Sequence, residues 1–435
     1  MYKRNITQSF AEGLEDTPIL LVNGSRQVGK STFVKSLLPN THHYYTLDDP
    51  TTLSSIKKDP LMFLEGLQGP SIIDEVQRVP ELFLPLKKIV DENRRPGFFI
   101  LTGSANALAL PKPADSLAGR MEVHTIWPLS QGEIQGKAED FISYIFNSPL
   151  THEELTRVMG ITVRSLKKTY LDRPPPPPSP TKLPLVKLLE IIIQGGYPEA
   201  LHRPSSNRRK KWFDSYLMTI LEKDIKDLAN IEGLLDLPNL LKLFASRCGS
   251  LLNTSEISRS MGIPQTTLTR YIALLEKTYL VVLLPAWTKN LSKRIVKTPK
   301  AYLNDTGLLT HLVGYDQNRL LNDKGFLGHV LENFVVMELK KQMTWSQQPC
   351  QIYHYRTHTQ QEVDIILEAP DSRVVAIEVK LANSVTPKDF SGIQGLEDDI
   401  GEHFHRGIVL YMGDTAISFG KNKHAIPLSR LWESN

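Results

Sequence analysis

GSRQVGKS, residues 24–31, is the stretch on which the reading of this chain turns. It follows the apolar run PILLVN at 18–23 and leads into TFVKSLL at 32–38. The string fits GxxxxGK[ST] in full, and the motif carries meaning when a strand enters it and a helix leaves it. Both flanks meet that condition. Glycines at 24 and 29 let backbone N–H groups close on phosphate oxygens, aided by the positive end of the following helix. The candidate nucleotide-binding residues are therefore Gly24, Ser25, Arg26, Gln27, Val28, Gly29, Lys30, Ser31 and Thr32. Lys30 is expected to reach the β- and γ-phosphates, and the Ser31 hydroxyl to ligate Mg²⁺.

Outward from this loop, apolar runs alternate with helix-like stretches. HYYTLD at 43–48, SIIDE at 71–75, GFFILTGS at 97–104 and EVHTIWPLS at 122–130 read as further strands. Continuous apolar strands separated by helices predict a parallel sheet buried on both faces, with ligands at the strand ends. IIDE at 72–75 supplies the matching acids: Asp74 to hold magnesium through its waters, and Glu75 to polarise the attacking water. No NKxD guanine-reading motif is found near the expected later strand, so ATP is preferred over GTP. Thr102 and Ser104 end another strand as a polar sensor of the γ-phosphate, or as a simple polar turn. Arg120 could be an arginine finger delivered to a neighbouring subunit, or an internal salt-bridge partner.

These strings form an ordered set. GSRQVGKST, LDDP at 47–50, IIDEVQRVPEL at 72–82, LTGSA at 101–105, SLAGR at 116–120 and WPLSQGE at 127–133 resemble one family. It comprises prokaryotic AAA+-type ATPases whose ATPase domain is followed by a conserved domain of unknown function. GGYPEAL at 195–201, YLMTILEKDI at 216–225, EVDIILE at 362–368 and IEVK at 377–380 are similar to that second domain. The resemblance implies an AAA+ fold, ATP and Mg²⁺, with Lys30, Ser31, Asp74 and Glu75 in the roles given above. RPPPPPSP at 173–180 departs from the family pattern; five successive prolines form an extended insertion rather than a helix.

The expected organisation is α/β throughout: a P-loop AAA+ parallel-sheet domain at 1–135, a helical lid carrying the Pro-rich insertion at 136–230, a winged helix-turn-helix at 231–303, and an α/β nuclease-like domain at 304–435. NTSEISRSMG at 253–262 reads as a capped short helix, turned by Gly262 and Pro264. The next helix places Leu268, Tyr271, Ile272, Leu275 and Tyr279 on one face. Thr267, Thr269, Arg270 and Lys277 face away from it, and WTKNLSKRIVKTPK adds Lys289, Lys293, Arg294, Lys297 and Lys300 without an acid. A basic wing beside a helix-turn-helix is a phosphate-tracking surface, so DNA is an expected partner. Winged helices in ATPases also serve as packing and protein-contact modules, and RPSSNRRKK at 203–211 reads as a solvated helix start.

A second constellation lies near the C-terminus. Glu378 and Lys380 sit two apart on VVAIEVK and share a strand face. A turn centred on Asp371 sets Asp364 directly opposite Glu378. Two carboxylates and an amine on one sheet face resemble the PD-(D/E)xK nuclease core, with Val363 at the usual proline position and Glu332 as the upstream acid. Such a pair can hold a second divalent cation. A strand charge ladder has the same pattern, so both an active nuclease and a degenerate, non-cleaving domain are kept.

Composition limits the alternatives. The chain has 435 residues, 41% hydrophobic and 23% charged, with a formal charge of only +4, so any basic site is local. Two cysteines, Cys248 and Cys350, argue against a disulfide-built or cysteine-rich zinc protein. No apolar run approaches the ~20 residues of a membrane span, and the N-terminus lacks a signal-peptide core. The expectation is a cytoplasmic ATP hydrolase coupled to a DNA-binding winged helix. The rival is a nucleotide-gated switch for a protein partner. Homo-oligomerisation stays open.

Overall fold

The computed structural model describes residues 1–104, 117–150, 183–221, 236–290, 292, 294, 297–357 and 359–433. The Pro-rich segment at 173–180 and Lys293 lie outside them. The chain divides into two compact units, each assembled from three segments. The first takes Met1–Leu129, Gly196–Leu240 and Thr254–Val282; the second takes Ser130–Gly195, Leu241–Asn253 and Leu283–Asn435.

The first unit is built on five parallel strands: β1 (Ile19–Asn23), β2 (His43–Thr46), β3 (Ser71–Asp74), β4 (Phe99–Gly103) and β5 (Met121–Thr125). Their order is β2-β3-β4-β1-β5. β1, β3 and β4 are buried along their whole length, which is why they read as unbroken apolar runs. Ile19, Leu21, Ile73, Phe99 and Leu101 pack with Phe83 and Leu86 of the helix Phe83–Glu92 into one core. Parallel register brings the loops after β1, β3 and β4 to the same sheet edge, where an α/β sheet binds ligands.

The same unit holds the helix-turn-helix. Thr254–Met261 and Gln265–Lys277 are helices, and Gly262 turns the chain between them at φ +67°. Leu268, Tyr271, Ile272 and Leu275 are buried, as the helical spacing predicts. Tyr279 is also buried, but it lies beyond the helix end at φ +59°, so its burial does not follow from the helical period.

β6 (Val281–Leu284) pairs with β7 (Lys300–Leu303) in a two-stranded sheet. The second unit then forms a six-stranded mixed sheet from β8 (Gln351–Arg356), β9 (Glu362–Glu368), β10 (Val374–Val379), β11 (Phe404–Tyr411), β12 (Ile417–Ser418) and β13 (Lys423–Pro427). Their order is β12-β13-β11-β10-β9-β8. β9 and β10 are antiparallel with Val374 opposite Glu368 and Ile377 opposite Ile365, the register expected for a turn centred on Asp371. The helix Lys324–Gln342 is buried along most of its length, which is why it lacks a clean amphipathic stripe.

Candidate nucleotide site and carboxylate cluster

Two glycines shape the loop after β1. Gly24 has φ +140°, and a Cβ there would collide with the carbonyl oxygen of Ile126. Gly29 has φ +96° and caps the helix Lys30–Leu37. Between them Gln27 also takes a left-handed backbone, φ +61°. Such alternation turns successive N–H groups toward one point and makes an anion-binding concavity. Lys30, 5% exposed, donates to the carbonyl oxygens of Gly24 (3.0 Å) and Ser25 (2.9 Å).

Asp74, at the end of β3, gathers three hydroxyls. It accepts from Ser31 at 2.9 Å and makes short bonds to Tyr44 and Thr102. Burial, then the Asp74 carboxylate, pushes the Tyr44 phenol well above its usual range. Hydroxyl and carboxylate oxygens suit a hard cation, so Ser31 and Asp74 fit the Mg²⁺ that accompanies a nucleotide. Glu75 has φ +63°, a sparsely populated conformation for a non-glycine residue and one that concentrates at functional sites. Its carboxylate accepts from Gln77, whose amide also donates to Ser104 at 2.9 Å. Thr102 accepts from the Glu75 N–H at 3.3 Å. Arg120 forms a two-pronged ion pair with Asp91 of the same chain.

Beside Val28, Gly29 and Thr32 lies a cavity of 560 Å³, lined also by Arg4, Leu129 and His202. That volume is within the range of small-ligand sites, and its mainly apolar wall suits a purine base. Tyr197, fully buried, brings its hydroxyl to 3.2 Å from the Ser25 hydroxyl and 2.7 Å from that of Tyr216.

A family model described as an AAA domain matches residues 16–135. Two further models, each described as a domain of unknown function, match residues 186–319 (DUF8612) and 327–431 (DUF4143). The chain carries an AAA domain followed by two domains of unknown function. The AAA family typically uses ATP and Mg²⁺, in keeping with the donor set around Ser31 and Asp74. Uncharacterized proteins of Mycobacterium bovis and Mycobacterium tuberculosis are each 26% identical over 430 residues, 99% of this chain and 84% of theirs. Two Thermotoga maritima RuvB structures are also similar, both at 15% identity over 65% of this chain and 89% of theirs. One is a point variant with a TM-score of 0.26; the other, titled a Holliday junction branch migration motor, has a TM-score of 0.25. Among the described residues no helix is long and apolar enough to cross a membrane.

In this AAA-type chain the C-terminal acids converge within the second unit. Glu332, 7% exposed, accepts from Lys300 Nζ at 2.8 Å and from the Tyr302 hydroxyl at 2.6 Å. Asp364 accepts from the Val379 N–H at 2.9 Å, and Lys380 Nζ donates to Glu378 at 3.0 Å. Burial, reinforced by the charge of Asp364, lifts the Glu332 carboxyl to about 7 and the Glu378 carboxyl to about 8. The expectation of a second divalent cation meets a counter-finding. Among the described residues no group of three or more His, Cys, Asp or Glu could hold a metal ion.

These raised values set a pH dependence. Unfolded glutamate titrates near ~4.3. Between that value and about 8 the native state therefore binds more protons than the unfolded one, and stability falls as pH rises. Thermal melting of the second unit should occur at a higher temperature at about pH 5 than at about pH 8, and Glu378→Gln should flatten the slope. An unchanged slope in that variant would remove Glu378 as a source.

The expected DNA-contacting surface is only partly presented. Thr269 and Arg270 are exposed, whereas Thr267, Lys277 and Lys297 are half-buried. Arg294 requires a correction: it is 9% exposed and bonds Glu368 at 2.5 and 2.9 Å. Lys289 pairs with Asp399 at 3.6 Å, and Lys300 is buried. A stretch without acids looks uncompensated, but acids on distant elements engage Lys289, Arg294 and Lys300. In the 203–211 cluster, Ser205 caps the helix Ser206–Thr219, leaving Arg208, Lys210 and Lys211 exposed.

Arg4, Tyr44, Gln77 and Tyr197 carry no recognisable motif of their own. The clue for Gln77 and Tyr197 was their place in IIDEVQR and GGYPEAL. Arg4 and Tyr44 had no comparable clue.

Proposed function

We propose that the chain hydrolyses ATP with Mg²⁺, and that the helix-turn-helix of the same unit reads out its nucleotide state on DNA. The acid pair ending β3 carries this reading. Asp74 is fixed by Ser31 and Thr102, while the left-handed turn of the next residue and the Gln77 amide fix Glu75. Bound between Ser31 and Asp74, Mg²⁺ would neutralise phosphate charge. Lys30 would leave its loop carbonyls for the phosphates, Glu75 would accept the proton of the attacking water, and Thr102 would sense the γ-phosphate. Arg120 is left as the partner of Asp91.

A short path supports readout. Arg4 lines the cavity and donates to the Trp127 carbonyl at 2.5 Å. The Trp127 ring meets Tyr279 edge-on with centroids 5.6 Å apart, just beyond the helix Gln265–Lys277. DNA should stimulate ATP turnover, and the stimulation should fade with added salt as phosphate contacts weaken. Tyr279→Leu should keep basal turnover and lose the stimulation. Turnover indifferent to DNA in the unaltered chain would sink the DNA reading.

A second reading is favoured by the wing cations that acids already engage. With Arg294, Lys289 and Lys300 engaged by acids, the C-terminal nuclease-type layout would be a non-cleaving module and the gated ligand a protein partner.

A further inference from the structure

Four acids and two lysines meet on and beside the β9–β10 face of the second unit, and one lysine comes from elsewhere in the chain. Lys300 opens β7, far in sequence from the acids it meets, and is 3% exposed. Its ammonium lies 2.8 Å from Glu332 and 2.7 Å from Glu362, with Asp364 close enough to interact electrostatically.

We propose that the Lys300 ammonium is the resident cation of this carboxylate cluster, taking the place of a divalent metal and closing the site to one.

The donor pattern supports this. Glu332 Oε1 already accepts both Lys300 and Tyr302. One oxygen of Asp364 is taken by the Val379 N–H, and one of Glu378 by Lys380. A hard divalent cation needs about six oxygens gathered around it. Here an ammonium already separates Glu332 from Glu362, and a divalent ion beside it would be repelled. Burial makes the arrangement durable, because removing one member of a buried ion pair strands the other charge. The layout of a metal-dependent nuclease therefore persists with its cation supplied by the chain itself. This inference goes beyond the ATP reading and does not depend on it.

The test is a Mn²⁺ titration of the full chain without nucleotide, followed by electron paramagnetic resonance. The unaltered chain and Asp364→Asn should bind the same number of ions, since any binding near Ser31 is common to both. Lys300→Ala should acquire one additional site, at least tenfold tighter than any the unaltered chain has in the second unit, and Lys300→Ala with Asp364→Asn should lose it. A Mn²⁺ ion bound by the unaltered chain but lost in Asp364→Asn would overturn the proposal. So would a folded Lys300→Ala that gains no site. Should Lys300→Ala fail to fold, Lys300→Met keeps the apolar stem without the charge, and the comparison of the unaltered chain with Asp364→Asn decides the matter alone. Omitting nucleotide keeps this outcome separate from any failure of ATP turnover.

Discussion

Glu75→Gln should retain ATP binding and lose turnover by about 10²–10⁴-fold, the usual contribution of a positioned general base. Binding should survive because the groups proposed to face the phosphates belong to residues 24–32, while Glu75 follows β3. The backbone should tolerate the change, since Gln27 already holds a left-handed conformation at φ +61° beside the φ +63° of Glu75. The new amide can turn its oxygen toward Gln77, which preserves that bond. Only the capacity to take a proton is lost. Phosphate release and the binding of a fluorescent ATP analogue would be measured side by side. Turnover within a few-fold of the unaltered protein would place the base elsewhere.

Arg294→Ala should destabilise the second unit by about 1–3 kcal/mol, the loss expected for stranding one member of a part-buried, hydrogen-bonded charge pair. The guanidinium is flanked by the rings of Trp287 and Tyr353, with centroids 5.1 and 5.0 Å away. It also donates to the Thr288 carbonyl at 2.6 Å. Its removal leaves Glu368 with the Trp287 indole N–H at 3.2 Å as its neutral donor. Urea unfolding would report the loss, and the salt dependence of DNA binding by the folded variant should stay unchanged. A residue on a DNA phosphate behaves oppositely, lowering the logarithmic salt slope by about 0.9 with little change in stability. That pattern would return Arg294 to the nucleic-acid surface.

Local signals in the sequence account for much of this fold. The strand before Gly24, the acid pair after β3 and the spacing of the second helix-turn-helix helix each depend on neighbours within about two turns or one strand. The β9–β10 register was also legible, because a hairpin relates its two strands through a single turn. Partnerships between distant segments were not. Nothing near Lys300 announces Glu332 and Glu362, and nothing near Arg294 announces Glu368. Counting basic residues along a stretch measures composition, whereas the folded chain decides which charges remain facing solvent.

The three-segment construction of each unit has a consequence for biosynthesis. Five strands of the AAA sheet are complete by residue 125, yet Tyr197, which abuts Ser25, is translated some seventy residues afterwards, and the unit's last segment ends at Val282. Until then the nascent phosphate loop lacks its buried tyrosine support. The second unit begins at Ser130 but its sheet awaits β13, ending at Pro427. A ribosome thus releases a chain in which both units mature late, and the AAA unit reaches its full set of residues first. An expression fragment cut at the end of the AAA model would stop at residue 135, before the tyrosine that steadies its own loop has been made.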